Sequence, residues 1–345
     1  MCTSAIAQAR TARRPGGKMQ RGGRGAAIIA AVKRARNLPR ATERRNPRTR
    51  GLDSRTTLGV VRALNGEDAR VAPAVRLALP AIARAVDAIA KALASGGRLF
   101  YVGAGTSGRL AALDAAECPP TFGTPRGMVQ AVLAGGRRAL TEASEGAEDS
   151  AALGARDLAR RKISARDVVV GIAASGTTPY VLGALRFARR RGARTIGISC
   201  NRGTPLARLA KIPIVVETGP EAVAGSTRLK AGTAQKMVLN MLSTGAMVRF
   251  GRVYDNWMVG VALTNRKLRR RGLRILEEAS GASAAEAARA LCQSGHGRSN
   301  ALRADRLRVA LVMIKSGVSA SEARRRLGEA DGSVRRALPI GKARA

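Results

Sequence analysis

One device occurs twice in this chain, and it restricts the fold more than any other feature. Residues Leu99 to Val102 form a short apolar run that ends in Gly103-Ala-Gly105-Thr106-Ser107-Gly108 and passes into an alanine-rich helical stretch. Residues Asp167 to Ala174 do the same: they run into Ser175-Gly176-Thr177-Thr178 and enter a helix through Pro179, a residue well suited to a first helical turn. A strand, a small-residue turn and a helix make half of a βαβ unit. Two such halves, with further strand-like segments at 128–133, 194–199 and 212–216, predict an α/β chain with a parallel sheet covered on both faces. Helical spacing from Thr56 to Leu93 predicts two or three helices before the first strand. From about residue 275 only short helices are expected, at Ala284–Cys292, Ala304–Lys315 and Ser319–Leu327, forming a small helical C-terminal domain.

The first loop is literally G-x-G-x-x-G, which raises the question of a dinucleotide. Such a fold needs an acidic residue at the end of the second strand, roughly 20 residues on, to hold the ribose hydroxyls. Here that strand ends in Ala134-Gly135-Gly136-Arg137. Arg137 could accept a 2′-phosphate, which leaves NADP as the weaker alternative. Both loops set glycines and hydroxyls at a helix N-terminus, where free N–H groups and the positive dipole end favour an anion. Thr106, Ser107, Gly108, Ser175, Gly176, Thr177 and Thr178 therefore suit a phosphate monoester with polyol hydroxyls better than a long dinucleotide. Ser and Thr are also ordinary helix caps, but two such loops on one sheet edge favour a shared site. A third cluster, with Ser226, Arg228 and Lys230, precedes the longest helix and could neutralise a phosphate or carboxylate. Lys236, further along, reads as solvated charge.

Carboxylates are scarce, with 23 acidic against 62 basic residues. Glu117 comes just before Pro119-Pro120, which is expected to stop its helix. A second group, Ser144-Glu145-Gly146-Ala147-Glu148-Asp149-Ser150, follows the second strand. Two carboxyls at the functional edge of a sheet can act as acid and base around one substrate. Asp114, Glu145 and Asp149 read as surface, with Glu145 or Asp149 capping a helix start.

The formal charge is +39, and 52 of the basic residues are arginine. They are spread through every predicted helix, and aromatic residues make up only 2% of the chain, which argues against specific nucleic-acid binding. Cys2, Cys118, Cys200 and Cys292 form no C-x-x-C pair, and His296 is the single histidine, so a Cys/His zinc site and a histidine triad near the loops are excluded. No metal or cofactor is expected. Reduced thiols, the lack of a membrane-length apolar run and a start unlike a signal peptide predict a soluble, cytoplasmic protein. Residues 1–41 read as a disordered basic extension, with an organelle leader or a start at Met19 as alternatives.

Longer segments then speak together: Thr42-ERRNPRT, GAGTSGR, DAAECPPTFGTP, EGAEDS, VVVGIAASGTTPYV, GISCN and STRLKAGTAQKMVLNMLSTGAM. In this order, from about Thr42 to Leu338, the chain resembles the N-acetylmuramic acid 6-phosphate etherases of the sugar isomerase (SIS) superfamily. The resemblance implies an α/β fold with an SIS-type parallel five-stranded sheet flanked by helices. It also implies a homodimer with its sites at the subunit interface, a small-molecule sugar phosphate as substrate, and no membrane partner. The organisation expected is 42–95 as N-terminal helices, 96–270 as the SIS sugar phosphate domain and 271–345 as the helical C-terminal domain. The implied reaction, part of cell-wall amino sugar recycling, cleaves the D-lactyl ether of N-acetylmuramic acid 6-phosphate to N-acetylglucosamine 6-phosphate and D-lactate. The family's two catalytic glutamates fall on Glu117 of E-C-P-P and Glu148 of E-G-A-E. Alternatives are an SIS sugar phosphate isomerase, for which His296 could open the ring, or a non-catalytic sugar phosphate sensor.

Overall fold

The structure, a computed structural model, describes residues 40–142, 146–263, 265–295 and 300–339. The expected basic extension, residues 1–41, lies outside them except for Arg40 and Ala41, as do Cys2, Glu145 and His296. Helices α1 (Thr57–Asp68), α2 (Val71–Arg76) and α3 (Leu79–Ala94) precede the sheet. Strands β1 (Leu99–Gly103), β2 (Val129–Leu133), β3 (Val168–Ile172), β4 (Arg194–Ser199) and β5 (Ile212–Val215) then form one parallel sheet in the order β2-β1-β3-β4-β5. This is the predicted SIS-type sheet.

The two central strands, β1 and β3, are buried at every residue, which is why they read as unbroken apolar runs and not as an alternating pattern. Their side chains still alternate between two cores. Leu99 and Tyr101 join Ile89, Leu93, Val238 and Leu242 on one face. Phe100 and Val102 join Leu158, Val181, Leu185 and Leu206 on the other. The first face is covered by α3, α4 (Gly105–Phe122) and α8 (Lys230–Arg249), the second by α5 (Ala151–Ala159), α6 (Pro179–Arg190) and α7 (Pro205–Leu209).

The chain continues into α9 (Arg266–Ser280), α10 (Ala284–Gln293), α11 (Asn300–Ser316), α12 (Ala320–Glu329) and α13 (Val334–Ala337), which share a third core around Leu276, Leu291, Leu311 and Leu327. Ser283 and Ser319 cap α10 and α12 through their hydroxyls, as their positions in the sequence suggest. Among the described residues no helix is long and apolar enough to cross a membrane.

Two local expectations fail. Helix α4 does not stop at Pro119-Pro120 but continues to Phe122 and ends on Gly123, whose φ of 62° supplies the left-handed cap. The prolines sit in its last turn and so remove only the bonds to the carbonyls of Ala115 and Ala116. Asp149 does not cap α5: Ser150 does, its hydroxyl accepting from the Leu153 N–H at 3.2 Å.

Candidate functional site

In this strand order the connections leave β1 and β3 in opposite directions, so a crevice opens beyond their carboxyl ends. Both glycine-hydroxyl loops lie there side by side, since Gly103 and Ile172, the last residues of the two strands, are register partners.

The first loop is almost no loop at all. Gly103 ends β1 and Gly105 begins α4. A side chain on Gly103 would put its Cβ 2.8 Å from the amide nitrogen of Gly108, so the glycines let the helix start directly against the strand end. Among the described residues no side chain caps α4, and the N–H groups of Gly105, Thr106 and Ser107 face the crevice mouth as the free donors of a first turn. Ser107 Oγ donates to Gln235 Oε1 at 2.8 Å, which ties this turn to α8.

The second loop is held from three sides. Cys200 N–H at 2.9 Å and Asn201 Nδ2 at 3.0 Å both donate to the Ala174 carbonyl. The Leu206 N–H donates to the Gly176 carbonyl at 3.0 Å, and the Arg40 guanidinium donates to the carbonyl of Ser175. Within the loop Ser175 Oγ accepts from the Thr177 N–H at 3.2 Å and the Thr177 hydroxyl at 2.9 Å. Gly176 stands at φ 67°, with Thr204 where a side chain would go. Thr178 precedes Pro179 without capping α6. The pair of loops thus presents two uncapped helix N-termini and a set of half-exposed hydroxyls to one crevice, an arrangement suited to a phosphate ester.

The third cluster does not join them as expected. Lys230 is buried and ion-paired with Glu67, which also takes bonds from Arg48 Nη2 at 3.1 Å and Asn46 Nδ2 at 2.8 Å. The first N–H groups of α8, those of Lys230 and Ala231, are taken by the buried Glu221 carboxylate at 3.0 and 2.9 Å. Both the charge and the helix N-terminus are therefore spent inside the fold, and Lys230 has none left for a phosphate. Burial would raise the Glu67 pKa, but the bonds from Arg48, Lys230 and Asn46 outweigh it and hold the group at about 2. At Glu221 burial prevails over the backbone donors, and the pKa is raised. Ser226 is half-buried and Arg228 exposed, just upstream. Lys236 is exposed, as expected.

The expectation that Asp114 lies on the surface also fails. It is buried beneath α4, where it accepts from Tyr101 Oη at 2.9 Å, Asn240 Nδ2 at 2.8 Å and Ser243 Oγ at 3.0 Å. Burial raises its pKa in spite of these bonds. Cys118 and Cys200 are buried, free thiols pushed up to about 12 by burial, and so are poor nucleophiles.

Glu148 lies exposed in the 3₁₀ turn Ala147–Asp149, which packs against α6, the helix entered from the second loop. Glu117 is exposed on α4, one turn after the exposed Leu113. Twelve residues of helix, about 18 Å, separate it from Gly105. Within one chain Glu148 lies on a turn packed against the helix of the second loop, whereas Glu117 stands at the far end of its helix from the first loop.

The N-acetylmuramic acid 6-phosphate etherase of Serratia proteamaculans is 54% identical over 297 residues, covering 86% of this chain and 97% of that protein. The protein of that name from Yersinia pestis (strain Pestoides F) is also 54% identical, with 86% and 98% covered. This chain belongs to the N-acetylmuramic acid 6-phosphate etherase family. The SIS domain profile matches residues 137–245, and that of the glucokinase regulatory protein N-terminal SIS domain matches residues 81–189. A phosphoheptose isomerase structure from Francisella tularensis matches 56% of this chain and 98% of its own, at 17% identity and a TM-score of 0.42, too distant a likeness to bear on the site.

For a chain of the etherase family, the residues missing from the sequence reading are Arg40, Asn201 and Gln235, which fix the loops, and Glu221, which caps α8. The segments Thr42-ERRNPRT and GISCN signalled the neighbourhood of the first two. Nothing local marks Gln235, whose partner Ser107 is 128 residues away, and Glu221 lies nine residues before Lys230 across an irregular segment with no periodic pattern.

Proposed function

We propose that this chain cleaves the lactyl ether at carbon 3 of N-acetylmuramic acid 6-phosphate, giving N-acetylglucosamine 6-phosphate and D-lactate. The observation that carries the proposal is the pair of uncapped, hydroxyl-lined helix N-termini side by side at the switch point, in a chain of this family. The phosphate rests on the N–H groups and hydroxyls of Thr106, Ser107, Ser175, Thr177 and Thr178, and this anchor fixes carbons 2 and 3 of the open-chain sugar. Glu148 takes the proton from carbon 2, which the neighbouring aldehyde acidifies. The electron pair becomes the double bond between carbons 2 and 3, the carbon–oxygen bond breaks, and Glu117 hands its proton to the departing lactate oxygen. Water then adds at carbon 3 and a proton returns to carbon 2. General acid–base help of this kind supplies about 10²–10⁴-fold per group.

The helix rise of about 18 Å between Glu117 and Gly105 of its own chain is longer than a hexose phosphate can bridge. We infer that Glu117 serves the crevice of a second copy, in a homodimer whose sites lie at the interface. The exposed Leu113 on the same helix suits such a contact, which would also shut water away from the acid. Incubation with N-acetylmuramic acid 6-phosphate and an assay for free D-lactate test the activity. Glu117→Gln and Glu148→Gln should each lower the rate at least about a hundredfold while sugar phosphate still binds. Deuterium uptake at carbon 2 without lactate would mark an isomerase instead.

A further inference from the structure

A second pocket lies among the C-terminal helices. It has a volume of about 370 Å³, and its wall carries Arg306, Arg308 and Arg324 with Asp305 as the one lining carboxylate among the described residues. Arg308 is only 5% exposed. Its Nη1 donates to the Gly332 carbonyl at 2.8 Å and its Nη2 pairs with Asp305, but its Nε is buried without a partner. Arg306 Nη2 donates to the Leu291 carbonyl at 2.8 Å, and its Nε is likewise buried and unpartnered. Arg324 Nη2 donates to the Ser294 carbonyl at 2.7 Å. Behind the wall Arg252 stands 3.9 Å from the same Asp305 and leaves its own Nε unpaired.

Capping carbonyls at a helix end explains one or two of the five donors on each guanidinium, and no more. A buried cation is costly unless something complements it. Here three guanidiniums against one carboxylate leave a surplus of two positive charges around one cavity. Burial and the nearby Arg252 already lower the Arg308 pKa to about 9. The charge surplus and the cavity volume match a small dianion.

We propose that this pocket binds a phosphate group, as inorganic phosphate or as the head of a small phosphate monoester, through Arg306, Arg308 and Arg324. It is independent of the crevice phosphate site, since no residue is common to the two.

The probe is inorganic phosphate, titrated into the full chain by calorimetry at constant ionic strength. The variants are Arg306→Met, the exposed Arg324→Gln, and the crevice double variant Ser175→Ala/Thr177→Val. Circular dichroism reports whether each is folded, and Arg324→Gln keeps the test decisive if Arg306→Met does not fold. The proposal expects a class of phosphate sites that weakens about tenfold or more in the arginine variants and is unchanged in the crevice variant. Glucose 6-phosphate should compete for this class if monoesters are taken, and only phosphate itself should do so if they are not. Arginine variants whose isotherms superimpose on the parent would overturn it. So would displacement of the phosphate by chloride at matched ionic strength, which would reduce the arginines to a screened surface charge.

Discussion

Glu67 and Lys230 meet across 163 residues of sequence, their side chains 4% and 1% exposed. A buried pair of this kind stabilises little compared with apolar side chains of the same size, but losing one partner strands the other. Lys230→Met should therefore destabilise the fold by about 3 kcal/mol, at the low end for a broken buried pair because Arg48 and Asn46 still reach Glu67. Urea unfolding at neutral pH measures this. The pH dependence has a definite sign. Glu67 titrates at about 2 in the fold against an ordinary 4.5, so its contribution is complete above pH 4.5 and fades as the pH falls toward 2. In Glu67→Gln that part of the acid destabilisation should vanish, and an unchanged acid limb would show that Glu67 is not the group responsible. The sequence places Lys230 beside hydroxyls at a helix start, where a phosphate role is the natural reading. Its true partner lies on α1, and only the folded chain brings the two together.

Helix α4 shows which parts of the element scale were legible. Its start was, because the glycines that let a helix spring from the end of β1 act within six residues of one another. Its end was not: proline's penalty falls on bonds to residues four positions back, and in a last turn few remain to lose. The strands were legible for the same local reason as the helix start, being short apolar runs bounded by glycines. The capping of α8 by Glu221, nine residues before the helix start, spans an irregular segment without periodic pattern and left no sign. Gly103→Ala tests the start directly. Its Cβ would press on the Gly108 nitrogen at 2.8 Å and displace the first turn of α4, which carries Thr106 and Ser107. Small misplacements of anchoring groups cost orders of magnitude in rate. Release of D-lactate should fall more than about tenfold while a thermal melt still shows a cooperative transition. Full activity in Gly103→Ala would mean that this turn does not hold the phosphate.

At the scale of the whole molecule the two glutamates pose a problem that one copy does not solve, since Glu148 sits on a turn packed against the helix of the second loop and Glu117 stands a helix length from the first. Neither makes a hydrogen bond or ion pair among the described residues, so each is free to meet a partner surface. A two-fold dimer is self-complementary, so if Glu117 of one copy enters the crevice of the other, the exchange is mutual and each dimer holds two composite sites. Mixing inactive variants distinguishes this from a site made within one chain. A dimer of one Glu117→Gln copy and one Glu148→Gln copy has one composite site with both glutamates intact and one with neither. Subunit exchange in an equal mixture puts half of the dimers in this mixed form, so D-lactate release should recover to about a quarter of the parental rate. If both glutamates serve the same chain's crevice, every site in the mixture lacks one of them and the mixture stays as inactive as its components. Recovery that follows the rate of subunit exchange would tie the activity to the interface, and its absence at complete exchange would return Glu117 to its own chain and end the composite-site reading.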